Sequence, residues 1–238
     1  MSAVASSPQR HNRILNVVRL QFINKVTYIW MPLLVLGASW VISILIFAMI
    51  PLDGPKYGGG AQAPLWAFMA VGIQAMTMSF PFSQAMSLTR REFYLGTLAA
   101  ASVTGVMLST VFVVIGLIEK ATDGFGVNGY FAYLPAVWAS GWWAAWITYF
   151  VITMFLFVIG FWSATIFKRW GTLAVTLVLT GLGLILVGVV FLITRLEAWP
   201  ATWTWLVETG PLGLALWAVP AIALMALGSY VTLRRAVA

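Results

Sequence analysis

Long apolar stretches constrain this chain more than any other feature of its sequence. Six stretches contain no Asp, Glu, Lys, Arg or His, and each has the roughly 20 residues that a helix needs to cross a hydrocarbon core. A backbone in hydrocarbon must bond its own polar groups, so helices are the expected form. We therefore predict an all-α membrane protein with six transmembrane helices. The predicted spans are 31–50, 64–86, 95–118, 142–167, 171–193 and 211–233.

A glycine is predicted to mark the start of the fourth span. Its apolar stretch begins at Pro135 and ends at Phe167, and a continuous helix of that length would extend about 50 Å. Gly141 is the predicted break, so the span proper begins near Trp142.

Composition excludes most soluble functions. The chain is 62% hydrophobic and only 8% charged, whereas soluble domains carry about 25% charged residues. It has no cysteine, and its single histidine is His11. Disulfides, thiolate nucleophiles and histidine metal centres are therefore not expected, and neither is a soluble enzyme.

The basic residues predict orientation. With the N-terminus inside, ten of the 13 Lys and Arg residues are cytoplasmic, and only Lys56, Lys120 and Arg195 are outside. Cytoplasmic loops of membrane proteins carry this excess, which predicts an N-in, C-in topology. The net charge of +7 then reports orientation, and we expect no nucleic-acid partner.

We predict a disordered cytoplasmic tail at 1–12 and an amphipathic helix at 13–30. A second cytoplasmic tail is predicted at 234–238. Basic amphipathic helices lie in the membrane interface. The helix is therefore either a generic juxtamembrane anchor or an element with a specific mechanical role. Arg19 lies on the polar side of the helix, and its apolar stripe contains Leu15, Val18, Phe22 and Val26.

The first cytoplasmic loop reads SLTRREFYLG over residues 87–96. Thr89 followed by Glu92 has the spacing of a capping box, which predicts a helix start. The alternative interpretation is a charged turn that merely follows the positive-inside rule.

Polar and small residues inside the spans predict helix packing or a polar path. Gln74, Thr77 and Gln84 share a broad face of the second span, where they either join helices or line a pathway. Pro81 is expected to kink that helix. In the fifth span, we expect threonines and glycines to allow close helix contact. These are Thr176, Thr180, Gly181, Gly183 and Gly188.

The segments outside the membrane read as connectors. Residues 51–63 are rich in Gly and Pro and predict a loop, and Glu119–Leu134 is a polar connector. Residues 195–210 contain three tryptophans and predict a short helical piece at the outer interface.

The sequence lacks the groups with which a membrane protein couples transport to ions or to ATP, so any energy would come from a partner chain. The predicted spans contain no ionisable group of the kind that couples ions or protons, and the sequence has no GxxxxGK[ST] phosphate loop. The chain is therefore not expected to be an enzyme, to hydrolyse ATP or to hold a cofactor. We expect either a membrane scaffold driven by a partner or a passive pore.

The amphipathic first helix, the six spans and the SLTRREFYLG loop resemble the ABC-2 type permeases, the transmembrane subunits of ATP-binding cassette transporters. The loop is similar to the family's S-x-x-x-[ST]-R-[RK]-x-[FY]-x-x-G pattern. The resemblance implies that 13–30 is an elbow helix and that Thr89–Tyr94 is a short cytoplasmic coupling helix between spans 2 and 3. The surface gripped by the ATPase would contain Ser87, Thr89, Arg90, Arg91, Glu92, Phe93 and Tyr94.

The resemblance also implies partners and a location. These are separate ATPase subunits that bind ATP and Mg, a second permease subunit that is identical or different, and the lipid bilayer of a bacterial plasma membrane. The implied activity is export of an amphipathic or hydrophobic substrate such as a drug, an antimicrobial peptide or a lipid-like molecule. The alternative function is a passive channel or membrane assembly factor without ATP coupling.

Overall fold

The structure, a computed structural model, describes residues 10–23 and 25–234. The predicted tails at 1–12 and 234–238 lie mostly outside these residues. At its inner edge the first tail prediction was wrong, because helix α1 already begins at Arg10. The chain is all-α apart from two strands of two residues each. The helices are α1 Arg10–Ile23, α2 Met31–Met49, α3 Gln62–Gln74, α4 Phe80–Ala85, α5 Arg90–Ala121, α6 Pro135–Trp138, α7 Trp142–Arg195 and α8 Trp199–Arg234, and the strands are β1 Lys56–Tyr57 and β2 Gly129–Tyr130.

Among the described residues, five helical segments are long and apolar enough to cross a membrane. They are Val26–Met49, Gly59–Ala85, Arg90–Ala121, Trp142–Arg195 and Trp199–Arg234. The difference from the six predicted spans lies in α7, which joins the fourth and fifth. Its 54 residues would extend about 80 Å as a straight helix. However, Gly171 has φ 76° and ψ −172° and interrupts the helical geometry.

Two other glycines mark the predicted boundaries. Gly141, with φ 100°, precedes α7 and separates it from the short helix α6, which confirms the expected break. Gly210, with φ 61°, interrupts α8. Residues 199–209 before it are helical, as predicted for the tryptophan-rich segment.

The helix predicted over 13–30 is described on either side of residue 24, which lies outside the described residues. Helix α1 covers Arg10–Ile23, and a π-helical turn at Val26–Trp30 runs directly into α2. Residues 26–30 therefore belong to the first membrane-length segment, and this wider turn precedes Pro32, which has no amide hydrogen for the helical ladder.

Helices α3 and α7 pack closely in the bundle core. A Cβ on Gly72 would collide with the Phe157 carbonyl, and one on Gly160 would collide with the Met69 carbonyl. The two backbones therefore touch through reciprocal glycines, a geometry typical of packed membrane helices. The Phe68 and Phe157 rings, with centroids 5.4 Å apart, pack beside this contact.

The glycines predicted to allow close contact in the fifth span do not do so in this chain. At Gly181, Gly183 and Gly188, a Cβ would project into open space, with no neighbouring atom within 4 Å. No residue from 171 to 195 is buried. Within the described chain, this apolar part of α7 has no packing partner on its glycine face.

The expected kink near Pro81 takes the form of a π-helical turn. Residues Ala75–Ser79 adopt this wider geometry immediately before α4, which carries Pro81 in its first turn. A proline lacks the amide hydrogen that would continue the ladder, so the preceding turn widens.

The two polar connectors predicted as loops fold together into a cap at one end of the bundle, which we call the distal cap (residues 53–61 and 124–138). Strands β1 and β2 pair in parallel inside it, and the Tyr57 and Tyr130 rings stack at 5.6 Å. Lys56 donates to the Phe47 carbonyl at 3.0 Å and so caps α2. Desolvation, together with the Asp123 charge, raises the pKa of Tyr130 above its ordinary value.

Glu119 anchors the distal cap. It was predicted to begin a polar connector, but it lies in α5 and is fully buried. Its carboxylate accepts backbone hydrogen bonds from Phe131 at 3.1 Å, Ala132 at 2.9 Å and Tyr133 at 2.8 Å. A buried acceptor for three amides fixes the loop on the helix end.

Candidate functional site

The start of α5 is the candidate site, and its local geometry is the predicted capping box. The Thr89 hydroxyl accepts from the Glu92 amide at 3.2 Å, and the Glu92 carboxylate accepts from the Thr89 amide at 3.0 Å. Two of the amides that a helix start leaves unbonded are thereby satisfied.

The predicted short coupling helix is not a separate element. Thr89 caps a helix that continues without interruption from Arg90 to Ala121. The third span was predicted to begin at Leu95, but Arg90–Tyr94 are its first turn and a half. The apolar stretch predicted only the part of the helix that is long enough to cross a membrane. The capping box at Thr89 and Glu92 predicted where the helix begins.

Arg90 bonds the end of α8. Its guanidinium donates to the carbonyls of Leu233 at 3.3 Å and Arg234 at 2.6 Å. Both carbonyls lie at the end of the described part of α8. The side chain predicted to face a partner therefore joins the first turn of α5 to the last turn of α8.

Phe93 and Tyr94 point inward. The Phe93 side chain is fully buried, with its ring 5.2 Å from that of Phe80. Tyr94 donates to the Ala226 carbonyl at 2.6 Å and lies 3.1 Å from the Ser229 hydroxyl. Their prediction as partner-facing residues was wrong, because they occupy the core side of α5. The exposed members of the predicted surface are Ser87, Thr89 and Arg91.

Positive charge collects at this end of the bundle. Lys168 lies 5.9 Å from the Phe80 ring, which in turn contacts Phe93. Arg234 lies 5.9 Å from the Tyr230 ring. These contacts bring basic residues from three separated parts of the chain near the start of α5, opposite the distal cap.

Helix α1 packs on α5 through residues that the predicted stripe did not contain. Its described inward side chains are Val17 and Gln21, and Gln21 donates to the Thr97 hydroxyl at 2.8 Å. Of the predicted elbow residues, Val18 and Phe22 are partly buried, whereas Leu15, Arg19 and Val26 are exposed. The contact with α5 therefore buries a face of α1 that lies beside the predicted apolar stripe.

The three candidate pathway residues do not converge. Gln74 contacts the Met31 sulfur at 3.7 Å, Thr77 donates to the Ile73 carbonyl at 3.0 Å, and Gln84 donates to the Leu88 carbonyl at 3.2 Å. Each amide or hydroxyl is bonded separately, and the described residues show no hydrogen bond that joins two of the three. Gln84 instead stabilises the turn that leads into α5.

A cavity of about 540 Å³ opens between the start of α5 and the end of α8. One basic side chain, two tyrosines and five aliphatic side chains line it. They are Arg91, Tyr94, Leu95, Leu98, Ala223, Ala226, Leu227 and Tyr230. Across residues 10–23 and 25–234, no group of three His, Cys, Asp or Glu side chains could hold a metal ion.

Comparison with known protein families, with curated proteins and with solved structures finds no match. The functional argument therefore depends on the sequence pattern and on the geometry of this site.

Proposed function

We propose that the chain is the transmembrane subunit of an ABC-2 type transporter, driven by a separate ATPase and exporting an amphipathic or hydrophobic substrate. The proposed topology has six spans, N-in and C-in, with α7 divided into two spans at Gly171. The capped, basic start of α5 is the observation that carries this proposal.

The geometry of α5 suits force transmission. Arg91 is exposed in its first turn, and Ser87 and Thr89 are exposed just before it, while Arg90 in the same turn is bonded to the end of α8. The same helix continues to Glu119, which holds the distal cap. A push on the exposed turn would therefore reach both α8 and the opposite end of the bundle through direct contacts.

A second permease subunit is part of the proposal. Transporters of the resembled family work as pairs, and residues 171–195 form an apolar helix with small residues and no buried side chain. Small residues on a membrane helix allow a second helix to approach closely. An identical or related subunit would cover the glycine face of this segment.

The test uses the full chain, co-expressed with any Walker-motif ATPase encoded beside its gene. We expect the two proteins to co-purify and Arg91→Glu to reduce co-purification by at least tenfold, because an exposed charge at the interface is reversed. Arg169→Glu is the control, since Arg169 stacks on Trp170 at 4.1 Å in another turn at the basic end. Unchanged ATPase association and ATPase activity in Arg91→Glu would remove the coupling role. Ion or solute flux through the chain alone would instead favour a passive channel.

A further inference from the structure

The cavity between α5 and α8 has the composition of a lipid site. Its polar end is Arg91, and its walls are mainly aliphatic, including Leu95, Leu98 and Leu227. Concave sites of about 300–1,000 Å³ with apolar walls and few polar groups are typical of ligand pockets. The volume of about 540 Å³ falls in that range.

The cavity lining follows α5 from its charged start toward its apolar part. Arg91 lies at the second residue of α5, and Leu98 follows seven residues later. At about 1.5 Å per residue, the lining extends about 10 Å from the charged helix end into the apolar part of the bundle. A lipid lying there would place its phosphate at the basic end and its chains along the leucines.

The groove is built by contacts that hold its two helices together. Tyr94 bonds the Ala226 carbonyl and contacts Ser229, and its ring lies 5.1 Å from that of Tyr230. Arg90 fastens the same helix ends. These bonds hold α5 and α8 at the separation that forms the cavity.

Charge selects the occupant. In the described part of the chain, Arg91 is exposed and makes no hydrogen bond or ion pair that uses its guanidinium, whereas the neighbouring Arg90 is bonded to α8. An exposed arginine at a membrane surface attracts anionic lipid headgroups. We propose that this groove binds one anionic phospholipid, with its phosphate at Arg91 and its acyl chains against Leu95, Leu98 and Leu227.

This inference requires only that the chain lies in a membrane. Because Arg91 also belongs to the surface proposed for the ATPase, the lipid site is tested with no ATPase present. Its test therefore uses the full chain alone. The chain is purified into nanodiscs that contain dioleoyl phosphatidylglycerol and dioleoyl phosphatidylcholine, two lipids with the same acyl chains. Native mass spectrometry after release from the discs counts the lipids that remain bound.

We expect one phosphatidylglycerol to be retained in preference to phosphatidylcholine. Arg91→Gln should lower that retention about fivefold, the effect of one basic residue at a lipid surface. Ala223→Phe should abolish it by filling the groove. The controls are Arg19→Gln, which removes an exposed charge elsewhere, and Ala221→Phe, which adds the same ring at an exposed site on α8 outside the groove.

Three results would overturn the proposal. Equal retention of both lipids would show that the phosphate charge does not select the occupant. Equal losses in Arg91→Gln and Arg19→Gln would show that general surface charge binds the lipid. A lipid-free dimer that Ala223→Phe dissociates would show that a second copy fills the groove. Because no ATPase is present, each outcome leaves the proposed transport function to its own test.

Discussion

The two parts of α7 are both strongly apolar, but their surroundings are opposite. Residues 142–170 bury side chains such as Ala145, Phe157 and Phe161 in the bundle core, whereas residues 171–195 bury none. Gly160 in the first part meets the backbone of α3, while Gly183 in the second has open space around it. Apolar character alone therefore does not decide burial. In a membrane, burial requires a matching surface, because lipid solvates an apolar side chain as well as protein does.

The largest effect should come from the carboxylate that anchors the distal cap. Glu119→Ala would leave two buried amides and one half-buried amide without an acceptor, at about 1–3 kcal/mol for each unsatisfied buried group. We expect a loss of about 3 kcal/mol or more in the free energy of unfolding, measured by thermal or denaturant unfolding in detergent. Glu208→Ala removes an exposed carboxylate of α8 and should change stability little. Equal effects of the two variants would contradict an anchoring role.

The next effect tests the comparison within α7 directly. Gly160→Leu would force a side chain into the Met69 carbonyl, and overpacking of this kind costs about 1–3 kcal/mol. Gly183→Leu places the same side chain on the same helix where no atom lies within 4 Å. We expect a lower melting temperature for the first variant and no change for the second in monomeric protein. If Gly183→Leu instead reduces dimer formation, the open face is a subunit contact.

The smallest effect compares two buried tyrosine hydroxyls, one with a hydrogen-bond partner and one without. Tyr28 is buried, and its hydroxyl has no partner among the described residues. Tyr149 is also buried, but its hydroxyl donates to the Ala132 carbonyl at 2.6 Å. We expect Tyr28→Phe to be neutral or stabilising and Tyr149→Phe to lose about 1 kcal/mol, measured by chemical unfolding in the same detergent. A larger loss for Tyr28→Phe would reveal a partner for its hydroxyl.

The candidate site shows how far local patterns reach. The capping box was predictable because Thr89 and Glu92 satisfy backbone groups three residues away, and the structure contains both bonds. The directions of Arg90 and Phe93 were not predictable in the same way. Arg90 bonds carbonyls more than 140 positions later, and Phe93 packs on rings from other helices. Such contacts depend on how the helices are arranged, which no ten-residue pattern contains.

The sequence by itself determined the membrane-length helices, the break at Gly141 and the start of α5, because hydrocarbon thickness, glycine dihedrals and caps act over a few residues. Only the tertiary structure decided which glycines touch a neighbouring backbone and that Glu119 is buried under the distal cap. It also decided which residues of the first loop remain exposed. These features depend on surfaces that are distant in the chain and meet only when the bundle packs. A glycine therefore has different surroundings at Gly160 and Gly183, and a glutamate at Glu119 and Glu208.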